Sequence, residues 1–255
     1  MPTRWDTIQG KKGRGIGQVT NEQKNAVISK AESRWKEMGL TDKEIAFGIA
    51  TMGVESGFDP KAKSTDPKST AEGLGQFNDK TWSDAVNLYN KKFNAHLKPD
   101  SSRQDPDAQI AVMGAWIPYV MDRTKKFEGS SEFKDYNQTE IAYGLWHTGA
   151  YASTGQLQDF LIDKDHKSGF KNNRAYLNST HKEAYEIQTD PWKELRGVPL
   201  TPSHNLDPAT LKALKGLPQG LTIRPGLGDT LRREGNKVWR IDFGTGKTHG
   251  YFISE

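Results

Sequence analysis

The stretch Gly53-Val54-Glu55-Ser56-Gly57-Phe58-Asp59-Pro60 puts a carboxylate at the last turn of an apolar segment, where the chain opens into a loop. Apolar surroundings disfavour the charged carboxylate. A helix C-terminus carries partial negative charge and disfavours it further. A carboxylic acid kept protonated near neutral pH can hand a proton to a leaving oxygen, and cleavage of a glycosidic bond needs such a donor. The plain alternative is a solvated acid at a helix end, and position alone leaves both readings open.

Three further segments carry side chains suited to a sugar. In Ala71-Glu72-Gly73-Leu74-Gly75-Gln76-Phe77, two glycines around a leucine let backbone approach a ligand. Gln76 offers a donor and an acceptor, a match for an N-acetyl group, and Phe77 packs either under the loop or against a sugar. Ala142-Tyr143-Gly144-Leu145-Trp146-His147-Thr148-Gly149 ends a helical pattern in aromatic and polar groups. Asn173-Arg174-Ala175-Tyr176-Leu177 places a second tyrosine on a later helix. Each also reads as ordinary structure: a turn, a glycine-capped helix end, an amphipathic helix.

These groups need elements to hold them. Residues 1–20 are polar and glycine-rich and read as a flexible arm. From Asn21, Ala26, Val27, Ala31 and Trp35 recur at helical spacing, with a stop at Gly39. Thr41 followed by Glu44 is a capping box, and Ile45, Phe47, Ile49, Ala50, Met52 and Val54 make the next helix apolar nearly all round, hence central. Further helical patterns cover 80–93, 105–124, 138–147, 153–163 and 173–187, with Pro118 kinking or ending one of them. The segment 191–217, rich in proline and glycine, reads as a linker or wrapping segment. Leu221-Thr222-Ile223, Val238–Ile241 and Tyr251-Phe252-Ile253 read as strands. The predicted architecture is mainly α: a helical domain over 21–190 and a small β-rich tail over 218–255.

Composition narrows the chemistry. The chain has 255 residues, enough for a sizeable core. Lys and Arg number 36 against 32 Asp and Glu, a net charge of +4 too small to single out nucleic acid, and the lysines are dispersed. The absence of cysteine excludes disulfides, zinc–cysteine sites and a thiol nucleophile. The six histidines form no zinc spacing, so no metal is expected, and no cofactor. Gly244-Thr245-Gly246-Lys247-Thr248 has Ile241 where a phosphate-binding loop needs glycine. No window approaches the ~18 apolar residues of a spanning helix.

Taken together, Glu-Ser after an apolar helix, a Gly-Leu-x-Gln loop, an Ala-Tyr segment and an Arg-x-Tyr helix resemble the lysozyme-like domain of soluble lytic transglycosylases and the related goose-type lysozymes, over roughly residues 40–180. The resemblance implies a lysozyme-like helical fold acting on the β-1,4 bond from N-acetylmuramic acid to N-acetylglucosamine in peptidoglycan, with Glu55 as the acid/base. It places Gln76 and the backbone of Gly73, Leu74 and Gly75 along the glycan cleft, with Tyr143 and Tyr176 as its tyrosines; Ser56, Phe77, Trp146 and His147 stand beside these as further candidate substrate contacts. It also points to Asp66 and Asp79, before and after the loop as in goose-type lysozymes, as carboxylates able to activate water, so hydrolysis and transglycosylation both stand. This chain departs from the family twice: Gly75 stands where methionine is usual, and Gly144-Leu145-Trp146-His147-Thr148 interrupts a compact Ala-Tyr-Asn-Ala-Gly.

The resemblance carries partner expectations too: glycan strands as substrate, no nucleic acid, no membrane insertion, and a delivery machine or immunity protein besides. No apolar leader follows Met1-Pro2-Thr3-Arg4. The expectation is therefore a bacteriolytic protein made in the cytoplasm and delivered to the wall by a phage or a secretion system. The alternative is a non-catalytic wall-binding, phage-tail or secretion-associated protein on the same scaffold, against which the presence of Glu55 and Gln76 argues.

Overall fold

The computed structural model describes residues 4–11, 19–162 and 169–189, together with the backbone of strands at 222–223, 229–234, 237–242 and 248–252. The expected linker at 191–217 lies outside the described residues, as do residues 12–18 of the expected arm. The chain divides into two compact units, Met1–Gln188 and Thr189–Glu255.

The first unit is helical, and side-chain caps set its helix starts. Helix α1 (Asn21–Glu37) begins at Thr20, whose hydroxyl accepts from the Gln23 amide while the Gln23 side chain returns to the Thr20 backbone. Ile28, Ala31 and Trp35 form its buried stripe, and the Trp35 indole donates to the Ile110 carbonyl at 2.8 Å. Helix α2 (Asp42–Glu55) opens with the expected Thr41–Glu44 capping box and is buried from Ile45 to Val54 without a break. It is the central helix, because no face of it carries enough polarity to meet water.

Helices α3 (Asp79–Phe93), α4 (Pro99–Ser102) and α5 (Pro106–Arg123) follow. Helix α5 starts on an Asp105 cap with Pro106 in the first turn, where the missing N–H costs nothing. It continues past Pro118 to Arg123, since Ile117, Val120 and Met121 are buried around the interruption. Two 3₁₀ turns, Thr124–Lys126 and Ser131–Phe133, lead to α6 (Gln138–Thr148), which is capped by Asn137 and Glu140. Helices α7 (Thr154–Ile162) and α8 (Phe170–Thr189) complete the unit. Buried Glu140 accepts from Arg174 at 2.6 Å and from Asn178 at 2.6 Å, which fixes α8 to the start of α6.

The flexible arm expected over residues 1–20 is corrected over its described part. Trp5 and Ile8 are each 1% exposed, inside the core. The Lys24 ammonium, itself buried, donates to the carbonyls of Trp5, Asp6 and Ile8. Two apolar anchors in a polar stretch, with one lysine to satisfy the carbonyls between them, suffice to fasten it.

The second unit contains a four-stranded antiparallel meander in the order β1 (Thr222–Ile223), β2 (Asp229–Glu234), β3 (Lys237–Asp242) and β4 (Thr248–Phe252). Strand β2 was not foreseen: Asp-Thr-Leu-Arg-Arg-Glu has one large apolar residue and carries no strand signal until β3 pairs with it, Leu231 opposite Arg240. Among the described residues no helix is long and apolar enough to cross a membrane.

Candidate active site

Glu55 is the last residue of α2. The helix stops there because the chain turns left-handed, with φ of 60° at Gly57 and 70° at Phe58. The Ser56 hydroxyl donates to the Met52 carbonyl at 3.0 Å, and Ser56 is fully buried. Ser56 therefore closes the helix end, and the substrate contact expected of it is replaced by that role.

Glu55 is half-buried, and its Oε1 is buried without a hydrogen-bond partner. An ionised oxygen in that position would be unsolvated, so burial raises the pKa from 4.5 to about 7. Two groups oppose the rise: the Tyr143 hydroxyl beside the carboxyl, and the positive charge of Lys11. Near neutral pH the group exists in both forms, as a proton donor that is later a base must.

Tyr143 comes from α6 and is 1% exposed, packed near Phe160 and Phe170. Its ring offers no face to a ligand; its hydroxyl serves Glu55. Burial pushes that hydroxyl well above its ordinary range, so it remains a donor. Tyr176 of α8 is half-buried, its hydroxyl bonded to the Gln9 carbonyl. It also lies over α2: a Cβ on Gly53 would sit 2.2 Å from the Tyr176 oxygen. The bare backbone at Gly53 is what admits the tyrosine to α2 two residues before Glu55.

The Gly73–Phe77 loop is held from beneath by Gln109, a lone buried amide on α5. Its oxygen accepts from the Leu74 N–H at 2.8 Å, and its nitrogen donates to the Pro60 and Arg103 carbonyls at 2.9 Å each. Gly73, at φ 77°, is where Gln109 reaches the backbone, and a Cβ there would lie 2.7 Å from the amide oxygen. Leu74 is fully buried, and Phe77 is buried with its ring stacked on Trp146, centroids 4.8 Å apart. Both are corrected from cleft lining to loop anchors. Gln76, at φ 48°, donates its amide N–H groups to the Ala62 and Gly73 carbonyls at 3.1 and 3.0 Å. That leaves only its carbonyl oxygen for a ligand, so the expected donor role toward an N-acetyl group is corrected.

The two departures from the family pattern meet in space. The Trp146 indole donates to the Gly75 carbonyl at 2.9 Å, and a Cβ on Gly75 would lie 2.9 Å from the Trp146 ring and 3.3 Å from the Met113 sulfur. The volume a methionine at 75 would take is filled by Trp146, supplied by the interrupting Gly-Leu-Trp-His-Thr, and by Met113. Trp146 is 5% exposed and is corrected from substrate contact to packing. His147 is exposed, with one ring face on Phe160 at 4.6 Å.

Asp66 and Asp79 do not join Glu55. Asp66 is exposed and accepts from the Lys68 N–H at 2.9 Å, shaping its own turn. Asp79 is exposed at the start of α3 and pairs with Arg103. Arg103 also pairs with Glu72 at 3.0 Å and donates to the Thr70 and Phe77 carbonyls, clasping the loop's two ends. Neither aspartate is among the groups that act on the Glu55 charge.

Sequence reasoning missed Gln109, Arg103, Asn173 and Lys11 as parts of the site. Gln109 had a signal, a single amide in the apolar run Ala108–Met113. Lys11, in a glycine-rich stretch, had none.

Residues 30–144 match the model of the family described as the transglycosylase SLT domain. No curated protein and no solved structure matches the chain.

Proposed function

From the match of residues 30–144 to the transglycosylase SLT domain, we propose that the chain cleaves the β-1,4 bond from N-acetylmuramic acid to N-acetylglucosamine with Glu55 as its one acid/base. SLT domains act on peptidoglycan. The observation that carries the finer reading is a carboxyl at the end of a buried helix, with one oxygen buried and unpartnered, a pKa raised to about 7 by that burial, and a buried tyrosine hydroxyl beside it.

In this reading protonated Glu55 donates to the bridging oxygen as the C1–O bond breaks. The departing N-acetylglucosamine end leaves as an alcohol, and an oxocarbenium-like muramoyl centre forms. Glu55, now a carboxylate, takes the proton of the muramoyl 6-hydroxyl as that oxygen attacks C1. The product is a 1,6-anhydro ring, and Glu55 ends protonated as it began. Burial favours the acid in the first half, and the Tyr143 hydroxyl and Lys11 charge favour the base in the second. Transglycosylation is favoured over hydrolysis because Asp66 and Asp79, the candidates for activating water, are committed to a turn and to Arg103. Acting on exposed wall, such an enzyme is bacteriolytic.

Mass analysis of soluble products from isolated sacculi tests the bond, the mechanism and the residue together. Anhydro-muropeptides are expected from the native chain. Glu55→Gln is expected to lower their release by roughly 10²-fold or more, whereas Asp66→Asn and Asp79→Asn leave the product type unchanged. Reducing-end products would show hydrolysis instead. Activity near the native level in Glu55→Gln would remove the assignment.

A further inference from the structure

We propose that Lys11 is a positioning residue of the cleavage site: it heads a hydrogen-bond chain through Asn173 and Tyr143 that ends on Glu55 and fixes which way the protons in that chain point. The proposal rests on reading Glu55 as the acid, and it adds a segment of the molecule outside the family match at residues 30–144.

The segment is placed firmly enough for the task. The Lys11 N–H donates to the Gly53 carbonyl at 2.9 Å, which sets residues 9–11 against the last turn of α2. Gly10 lies on Gly57, where a Cβ would be 2.7 Å from the Gly57 oxygen, so the two backbones meet without side chains between them. Tyr176 holds the Gln9 carbonyl, and Lys24 holds those of Trp5, Asp6 and Ile8. With Trp5 and Ile8 buried, the strand of chain ahead of Lys11 has little freedom.

From there the chemistry of each group dictates the next. The Lys11 ammonium donates to the Asn173 Oδ1 and, at 3.2 Å, to the Asn172 carbonyl. An ammonium has donors only, so Asn173 must present its oxygen to Lys11 and its nitrogen away. That nitrogen donates to the Tyr143 hydroxyl at 3.3 Å. A hydroxyl that accepts from Asn173 turns its single proton the other way, toward Glu55. An uncharged, two-faced side chain at position 11 would leave Asn173 free to flip, and Tyr143 free to withdraw its proton from the carboxylate.

The charge of Lys11 acts in the same direction as the chain, favouring the carboxylate against the effect of burial. Among the described residues, the groups that act on the Glu55 charge are Lys11 from the N-terminal segment and Tyr143 from α6; Tyr176 from α8, whose hydroxyl is held by Gln9, packs instead on Gly53, two residues earlier on α2. Lys11 is the charged one among them.

The test uses the full chain. Its pH–activity profile on sacculi is measured for the native protein, Lys11→Met, Lys11→Arg and Asn173→Ala. In parallel, the Glu55 side-chain carboxyl is titrated by carbon NMR, a readout that needs no turnover. Lys11→Met is expected to move the alkaline limb and the NMR titration upward together, by roughly half a unit to one unit. It should also lower kcat several-fold with KM little changed. Lys11→Arg is expected to restore the limb. Asn173→Ala keeps the ammonium but cuts the chain, and should move the limb the same way by less. A limb and titration unmoved in both Lys11→Met and Asn173→Ala would overturn the proposal even if the native chain cleaves normally. Native protein that leaves sacculi intact would instead remove the proposed function, while the NMR titration would still decide the role of Lys11.

Discussion

Glu55 sits where burial works against its own charge. Its folded pKa of about 7 lies above the ordinary 4.5. Below pH ~4.5 the folded and unfolded chains both hold the proton, and the group is neutral in its effect on stability. Between 4.5 and 7 the unfolded chain releases its proton first, so stability is lost as pH rises, and above 7 the loss is complete. At 1.36 kcal/mol per unit the full loss is roughly 3 kcal/mol at most. Glu55→Gln removes the titration while keeping the shape. The variant is therefore expected to gain melting temperature over the native protein at pH 8, and to lose most of that gain at pH 4. Thermal melts at the two pH values check this. A gain equal at both would place Glu55 at its ordinary pKa and weaken its case as an acid at neutral pH. A residue that raises activity and lowers stability is the usual signature of a site under functional constraint.

Elements differ in how plainly the sequence announces them. Helix α2 was legible in position, start and burial because its signals are local: a Thr41–Glu44 cap and an unbroken apolar run. The glutamate at its end was legible for the same reason. The N-terminal segment was not, since Lys11 finds its partners 161 and 162 residues away and Lys24 reaches back to Trp5, Asp6 and Ile8 from a helix. Leu74, Phe77 and Trp146 were legible as neighbours of the site but not as its foundation, because stacking under a loop and stacking on a sugar ask for the same residue types. The loop and α6 were tuned together, as Gly75 and Trp146 show. Gly75→Met alone should therefore overpack, costing about 1–3 kcal/mol. Trp146→Ala alone should leave a cavity, costing about 3–5 kcal/mol. The pair should cost at least ~1 kcal/mol less than the two together, because each change relieves the other. Urea unfolding of the four proteins measures the coupling, and strict additivity would deny it.

At the scale of the whole molecule, the acid and the described groups that act on it belong to one unit. Glu55, Tyr143, Asn173, Lys11 and the loop clasped by Gln109 and Arg103 all lie within Met1–Gln188. That unit has the size of an ordinary single domain and a continuous core, so it has what independent folding requires. The family match at 30–144 is shorter than this functional unit: it omits Lys11 and Asn173, and with them the polarity of the chain that ends on Glu55. Two truncations separate these ideas. A chain ending at Gln188 is expected to unfold cooperatively and to release muropeptides from sacculi at a rate within a few-fold of the full chain, with the alkaline limb unmoved. A chain that in addition starts at Val19 loses Trp5, Ile8 and Lys11 together. It is expected to melt several degrees lower, since two buried side chains are gone, and to cleave with its alkaline limb displaced upward. If the chain ending at Gln188 neither folds nor cleaves, the meander-bearing unit is part of the catalytic body rather than an appendage to it.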